Sequence, residues 1–286
     1  MQDSCDKEPT RVPRRGAIQA AAWGVHLYTA LGLVIAAWIA VLLVQGGADA
    51  FRSVFLLMLL ATFIDATDGT LARKVQVKKV TPGFDGRKLD DLTDFLTYTF
   101  LPLMLIWRAE LLPEGTNGWL VLPLLASAYG FCQVEAKTDD GYFLGFPSLW
   151  NVVALYLYLL QLPGAFALGA IIILSLLTFV PSRYLYPSQP GALNQFSNLL
   201  GGIWAVFVGW LLFQIPAGRF PTRGGLVWNL TLASLYYPAF YMIVSWIISL
   251  KYWKSSNDLV EESLDSSELD EATPSEIDEG QPGLLT

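Results

Sequence analysis

"DATDGTLARKVQVKKVTPGFDGRKLDDLTD", residues 65–94, lies between two strongly apolar segments and holds six aspartates clustered toward its two ends. Asp65, Asp68, Gly69, Ala72 and Arg73 fall at offsets 0, 3, 4, 7 and 8. At about 100° per residue they share one helix face roughly 140° wide. Asp90 and Asp94, spaced i, i+4, share a face of the next helix. One helix leaves an apolar layer and the next enters it. The spacing therefore predicts that Asp65, Asp68, Asp90 and Asp94 converge at one edge. Four such carboxylates repel one another where the dielectric is low, so the cluster calls for cations or shared protons. Hard divalent metals with oxygen ligands answer that need, and a pair of them would polarise a phosphate and hold a leaving group. Small residues at 69 and 72 open the helix backbone to close approach. Arg73 offers a planar fork suited to phosphate oxygens. A solvated loop accounts for Asp85 and Asp91. It does not account for acids and small residues keeping to one face across two helices.

Composition places this stretch in a membrane protein. The chain has 286 residues, 53% hydrophobic and 15% charged, against about 25% charged in soluble domains; its mean hydropathy is +0.45. Eight apolar stretches stand out, near 18–45, 53–72, 94–112, 119–135, 146–162, 165–181, 196–214 and 227–250. Most approach the roughly 20 residues a helix needs to cross the hydrocarbon core, and lipid favours helix because it offers the backbone no partners. The reading is an all-α integral membrane protein of about eight transmembrane helices. Residues 1–17 form a polar leader, 18–250 the polytopic domain and 251–286 an acidic, disordered tail.

Basic residues set the orientation. With eight crossings, the leader, the 73–88 connection, Lys137, Arg183, Lys251 and Lys254 fall on one side, predicted to be cytoplasmic, so both termini are inside. Arg52, Arg108, Arg219 and Arg223 fall on the other side and argue weakly against. The net charge of −7 belongs to the tail: residues 251–286 hold ten acidic and two basic side chains, leaving 16 basic and 15 acidic before it. With no basic face, nucleic-acid binding is not expected. Two distant cysteines and a single histidine exclude a disulfide frame, a multi-histidine metal site and a Ser-His-Asp triad away from His26.

The pattern D-x2-D-G-x2-A-R…G-x3-D-x3-D, carried here by Asp65, Asp68, Gly69, Ala72, Arg73, Gly86, Asp90 and Asp94, resembles the signature of the CDP-alcohol phosphotransferases. Twelve residues, Lys74 to Asp85, separate the arginine from the second glycine, a longer gap than is usual in the family. That gap resembles the bacterial phosphatidylcholine synthase branch. So do "FDGRKLDDLTDFLTY" at 84–98 and "SAYGFCQVEAKTDDGYFLGFPSLWN" at 127–151. The resemblance implies that Asp65, Asp68 and Asp90 ligate two divalent ions, Mn2+ or Mg2+. Asp94 would serve as base, with a ligand role open. Gly69, Ala72 and Gly86 would admit the cytidine nucleotide, and Arg73 would meet phosphate. It further implies a bacterial inner-membrane enzyme, a transferase of substituted phosphate groups facing the cytoplasm. CDP-diacylglycerol and choline are its implied substrates, among membrane lipids, and a homodimer its implied assembly.

Choline has no N–H to donate, so aromatic faces are its expected partners. Tyr129, Trp150 and Tyr184 are candidates; an interfacial aromatic belt is the alternative. Lys137 and Arg183 are candidates for phosphate or head-group contacts, or are cations that set topology. His26 lies inside the first span, either a functional group or a neutral residue bonded to a neighbouring helix. Two rival functions remain: the same chemistry with serine, inositol or glycerol phosphate as acceptor, and a transporter. Acids gathered at one rim argue against a mid-membrane transport site.

Overall fold

The computed structural model describes residues 15–133, 141–186 and 191–272, with side chains described between 16 and 255. α1 (Arg15–Gln45) and α2 (Ala48–Val75) form an antiparallel pair with the most extensive contact in the molecule. Gly46 and Gly47 join them at φ of 69° and 91°, left-handed values that favour glycine. α1 buries Ala22, Val25, His26, Thr29, Ile35, Ala36 and Ile39, a face built on steps of three and four.

The twelve-residue gap takes a definite form. α2 ends at a left-handed Gln76, α3 (Val77–Val80) adds one turn, and Asp85 caps α4 (Gly86–Asp94) by accepting from the Arg87 and Lys88 amides at 3.2 Å. α4 continues through a π-helical turn, Phe95–Phe100, into α5 (Leu101–Arg108), so 86–108 is one helical rod. Pro102, which has no N–H for the α ladder, follows directly on that widened turn.

Next come a short 3-10 turn and α6 (Val121–Cys132), then α7 (Trp150–Leu160), α8 (Gly164–Leu177), α9 (Ala192–Gln214), α10 (Gly225–Ser234) and α11 (Tyr236–Ala272). α7 is the centre of the packing: every residue from Ala154 to Leu160 is buried. A helix apolar on all sides belongs there. One core cluster joins Ile39, Phe55, Leu105, Tyr158, Ile171 and Leu211 from six helices.

Each of the eight apolar stretches contains a helix among its described residues. Among the described residues, four segments are long and apolar enough to cross a membrane: Gly16–Gln45, Ala48–Val75, Ala192–Gln214 and Gly225–Ser255. Asn117–Cys132, Trp150–Leu160 and Gly164–Leu177 are apolar but shorter. Leu27, Trp38, Val206 and Phe213 face outward from the long helices, as side chains meeting lipid would.

Two expectations differ from the structure. The fold is not wholly α, for β1 (Tyr142–Leu144) pairs antiparallel with β2 (Arg183–Leu185) in the register Tyr142–Leu185, Phe143–Tyr184, Leu144–Arg183. The connections before α7 and after α8 emerge at the same end, and α11 completes the bonding of β2. Ser249 Oγ accepts from the Arg183 amide at 2.7 Å, and Ser245 Oγ accepts from the Leu185 amide at 3.2 Å. Secondly, α11 runs on to Ala272, past residue 251 where the reading began a disordered tail. A helix already nucleated in the apolar segment propagates into a stretch rich in Glu and Leu without a new nucleus. Residues 273–286 lie outside the described residues.

Candidate active site

α2 leaves the bundle carrying Asp65 and Asp68, and α4 enters it carrying Asp90 and Asp94. Asp65, Asp68 and Asp90 each offer a carboxylate oxygen, all within 4.8 Å of one another. Asp94 lines the same narrow cavity, together with Thr29 of α1 and Thr93 of α4. The helical spacing thus does bring the four acids together. Three oxygens so close form a hard donor set of the kind that holds a divalent cation.

Hydroxyl groups fix two of these carboxylates. Thr29 Oγ1 donates to Asp68 Oδ2 at 2.6 Å, and the Tyr98 hydroxyl donates to Asp65 Oδ2 at 2.7 Å. Such short bonds to a charged acceptor are strong and orient it. Tyr98 sits in the π-helical turn four residues beyond Asp94, and turns of this type recur at functional sites. Sequence reasoning missed both residues. The available signals were Thr29 one turn after His26 on the buried face of α1, and Tyr98 one turn after Asp94.

The motif's other residues have local partners. Arg73, exposed on α2, donates from Nη2 to Thr70 Oγ1 at 3.0 Å, and a Cβ on Gly69 would stand 3.5 Å from its Nη1. Ala72 packs with Ala22, Val25 and Val77. A Cβ on Gly86 would stand 2.8 Å from His26 Cε1. His26 itself is buried, with Nε2 3.0 Å from Thr81 Oγ1.

The aromatic candidates do not form one group. Trp150, 1% exposed, donates from Nε1 to Ser127 Oγ at 2.8 Å and meets Phe146 edge-on. Tyr184, also 1% exposed, lies against Phe146 and stacks on Tyr241. Tyr129 is exposed and pairs with Phe179 at 5.0 Å. None of the three lines the aspartate cavity. The Arg183 guanidinium lies 3.4 Å from the centre of the Tyr252 ring, a cation–π contact that packs β2 on α11. Lys137 lies outside the described residues.

A family model for CDP-alcohol phosphatidyltransferases matches residues 25–181. The chain belongs to this family. The match runs from the middle of α1 to the end of α8 and takes in all eight motif positions. Relatives of the CDP-alcohol phosphatidyltransferase family bear a consistent name. The chain is 38% identical to a phosphatidylcholine synthase of Pseudomonas aeruginosa over 200 residues, 70% of this chain and 83% of that protein. It is 36% identical to a phosphatidylcholine synthase of Bradyrhizobium diazoefficiens over 207 residues, 72% of this chain and 76% of the relative. With one from Legionella bozemanae the identity is 43% over 135 residues, 46% and 62% of the two chains.

Proposed function

We propose that the chain transfers the phosphatidyl group of CDP-diacylglycerol to choline, giving phosphatidylcholine and CMP. The observation that carries this is the meeting of three carboxylates within 4.8 Å beside Asp94, in a chain whose relatives are phosphatidylcholine synthases.

The donor set of Asp65, Asp68 and Asp90 suits Mn2+ or Mg2+; Asp94 is a further ligand candidate. When bound, such ions neutralise charge on the diphosphate and on departing CMP. The residues supply the rest. Asp94 accepts the proton of the choline hydroxyl as its oxygen bonds to the phosphorus that carries diacylglycerol. The bond from that phosphorus to the bridging oxygen breaks, and its electron pair leaves with CMP. Arg73 holds phosphate oxygens through its fork, while Gly69, Ala72 and Gly86 flank the nucleotide. Thr29 and Tyr98 keep Asp68 and Asp65 oriented.

Choline is held by aromatic faces. Tyr129 has an accessible face; Trp150 and Tyr184 would have to part from Phe146 to offer theirs. Lys137 and Arg183 remain candidates for head-group contacts, Arg183 only by leaving the Tyr252 ring. We read the domain as eight crossings of a bacterial inner membrane, with both termini and the aspartate end cytoplasmic and the assembly a homodimer. CDP-diacylglycerol then enters sideways from the inner leaflet with its acyl chains still in lipid. Another alcohol acceptor remains the second reading; family membership sets the transporter aside.

The test is incorporation of radiolabelled choline into lipid by membranes supplied with CDP-diacylglycerol, with and without Mn2+. Metal-dependent labelled phosphatidylcholine is expected. Incorporation of serine or inositol in place of choline overturns the acceptor, and full activity in strong chelator overturns the metal role.

A further inference from the structure

Beside the carboxylates, α1 and α4 interlock through two glycines, one on each helix. The Cβ that Gly86 of α4 lacks would stand 2.8 Å from Cε1 and 3.0 Å from Nδ1 of His26 on α1. Conversely, a Cβ on Gly32 of α1 would collide with Thr93 Cγ2 of α4. His26 and Gly32 are separated by roughly 9 Å of helical rise, Gly86 and Thr93 by roughly 10.5 Å. Two fits at matching heights leave α4 little freedom to slide or turn against α1. Between them Thr29 donates to Asp68. His26 is 5% exposed, bonds Thr81 in the connection that leads into α4, and carries Phe84 against its ring at 4.4 Å.

We propose that His26 is a positioning residue: its ring fills the space Gly86 leaves, ties the 81–86 connection to α1, and with the Gly32–Thr93 fit presents Asp90 and Asp94 to Asp65 and Asp68. The smallness of Gly86 makes room for the imidazole on the α1 side, in addition to flanking the nucleotide. The inference deepens the reading above and rests on the aspartate cluster being the site.

The test measures Mn2+ binding by electron paramagnetic resonance on the purified full chain in detergent, beside melting temperature and choline transfer. Gly86→Ala should weaken Mn2+ binding by about 10- to 100-fold, the range for groups that orient metal ligands. His26→Ala alone should weaken Mn2+ binding comparably, because the tie between the 81–86 connection and α1 is lost, and the pair H26A/G86A should lose little more than either single variant, because the imidazole that the new methyl strikes is already gone. A second pair stands on the reciprocal fit and serves if G86A does not fold. Gly32→Ala should be impaired, and adding Thr93→Ser should restore it, since serine loses Cγ2 yet keeps the bond to the Leu89 carbonyl. An H26A protein that binds Mn2+ like wild type overturns the proposal, as do losses that simply add in H26A/G86A, or a G32A/T93S protein that folds with native melting temperature but binds Mn2+ no better than G32A. So does a G86A protein that binds Mn2+ like wild type. Mn2+ binding needs no acceptor, so a wild type that binds the ion and ignores choline defeats the acceptor reading alone.

Discussion

At one end of the α1–α2 pair, Asp65 and Asp68 face Asp90 and Asp94 across a narrow cavity, with hydroxyls of Thr29 and Tyr98 as their donors. At the other end, sixteen residues back along α2 and so roughly 24 Å away, Asp49 pairs with Arg52 at 2.9 Å. The charges there are spent on backbone. Arg52 donates to the Ile215 carbonyl at 3.0 Å, Arg108 to the Leu43 carbonyl at 3.0 Å, and Arg223 to the Gln161 carbonyl at 2.9 and 2.6 Å. These carbonyls lie at or just past the C-terminal ends of α9, α1 and α7, where helices leave acceptors unsatisfied. Acidity by itself therefore does not mark a site. Asp49 sits beside an arginine that neutralises it, whereas the far end gathers carboxylates and steadies them with neutral hydroxyls, leaving charge for a cation to meet.

The harshest way to probe this contrast is at Asp94. Asp94→Asn removes the proposed base and keeps the shape. Choline transfer should fall by about 10²- to 10⁴-fold, the usual contribution of a positioned acid–base group, while CDP-diacylglycerol still binds. Transfer near the wild-type rate would show that Asp94 is not the base. A smaller loss is expected from the supporting hydroxyls. Tyr98→Phe and Thr29→Val should each weaken Mn2+ binding by about 10- to 100-fold, read by metal titration of transfer. If either variant titrates like wild type, that hydroxyl is packing and not support.

The site was more legible in the sequence than the fold around it. Helix periodicity is local, so the offsets of Asp65, Asp68, Asp90 and Asp94 were enough to put the acids on facing surfaces. Thr29 and Tyr98 could not be found that way, because a hydroxyl on an apolar helix reads the same whether it bonds its own backbone, as Thr62 does to Met58, or a carboxylate 39 residues away. The β1–β2 pair depends on which connections meet in space, and three-residue strands vanish inside apolar runs. Trp150 and Tyr184 are choline candidates by sequence. Packing against Phe146 made them core, a distinction that composition does not carry. The arginines at the Asp49 end read in the sequence as exceptions to the charge rule for orientation. Their bonds to helix-end carbonyls give each of Arg52, Arg108 and Arg223 a structural task of its own.

That assignment predicts an effect on stability without an effect on chemistry. Arg52→Ala should cost about 1.5–3 kcal/mol, the range for a hydrogen bond to a charged group, seen as a lower melting temperature in detergent with unchanged KM for choline and unchanged Mn2+ binding. A fall in turnover with stability intact would mean that the two ends are coupled.

Asp49→Asn sharpens the comparison at its weakest contact. The carboxylate accepts from the Gly218 amide at 2.9 Å and pairs with Arg52 at 2.9 Å, but its side chain is 54% exposed. Asparagine keeps an acceptor oxygen for Gly218 and removes both the charge and the acceptor that faces Arg52. An ion pair this open to solvent is worth about 0–1 kcal/mol, so the expected shift is smaller than that of Arg52→Ala. A double-mutant cycle between the two positions isolates the pair itself. A coupling well above about 1 kcal/mol would mean that the pair, and not the bond from Arg52 to the Ile215 carbonyl, holds this end together. A small one leaves the carbonyl bond as the reason Arg52 matters, and makes Asp49 a positioner of the Gly218 turn and of the arginine beside it.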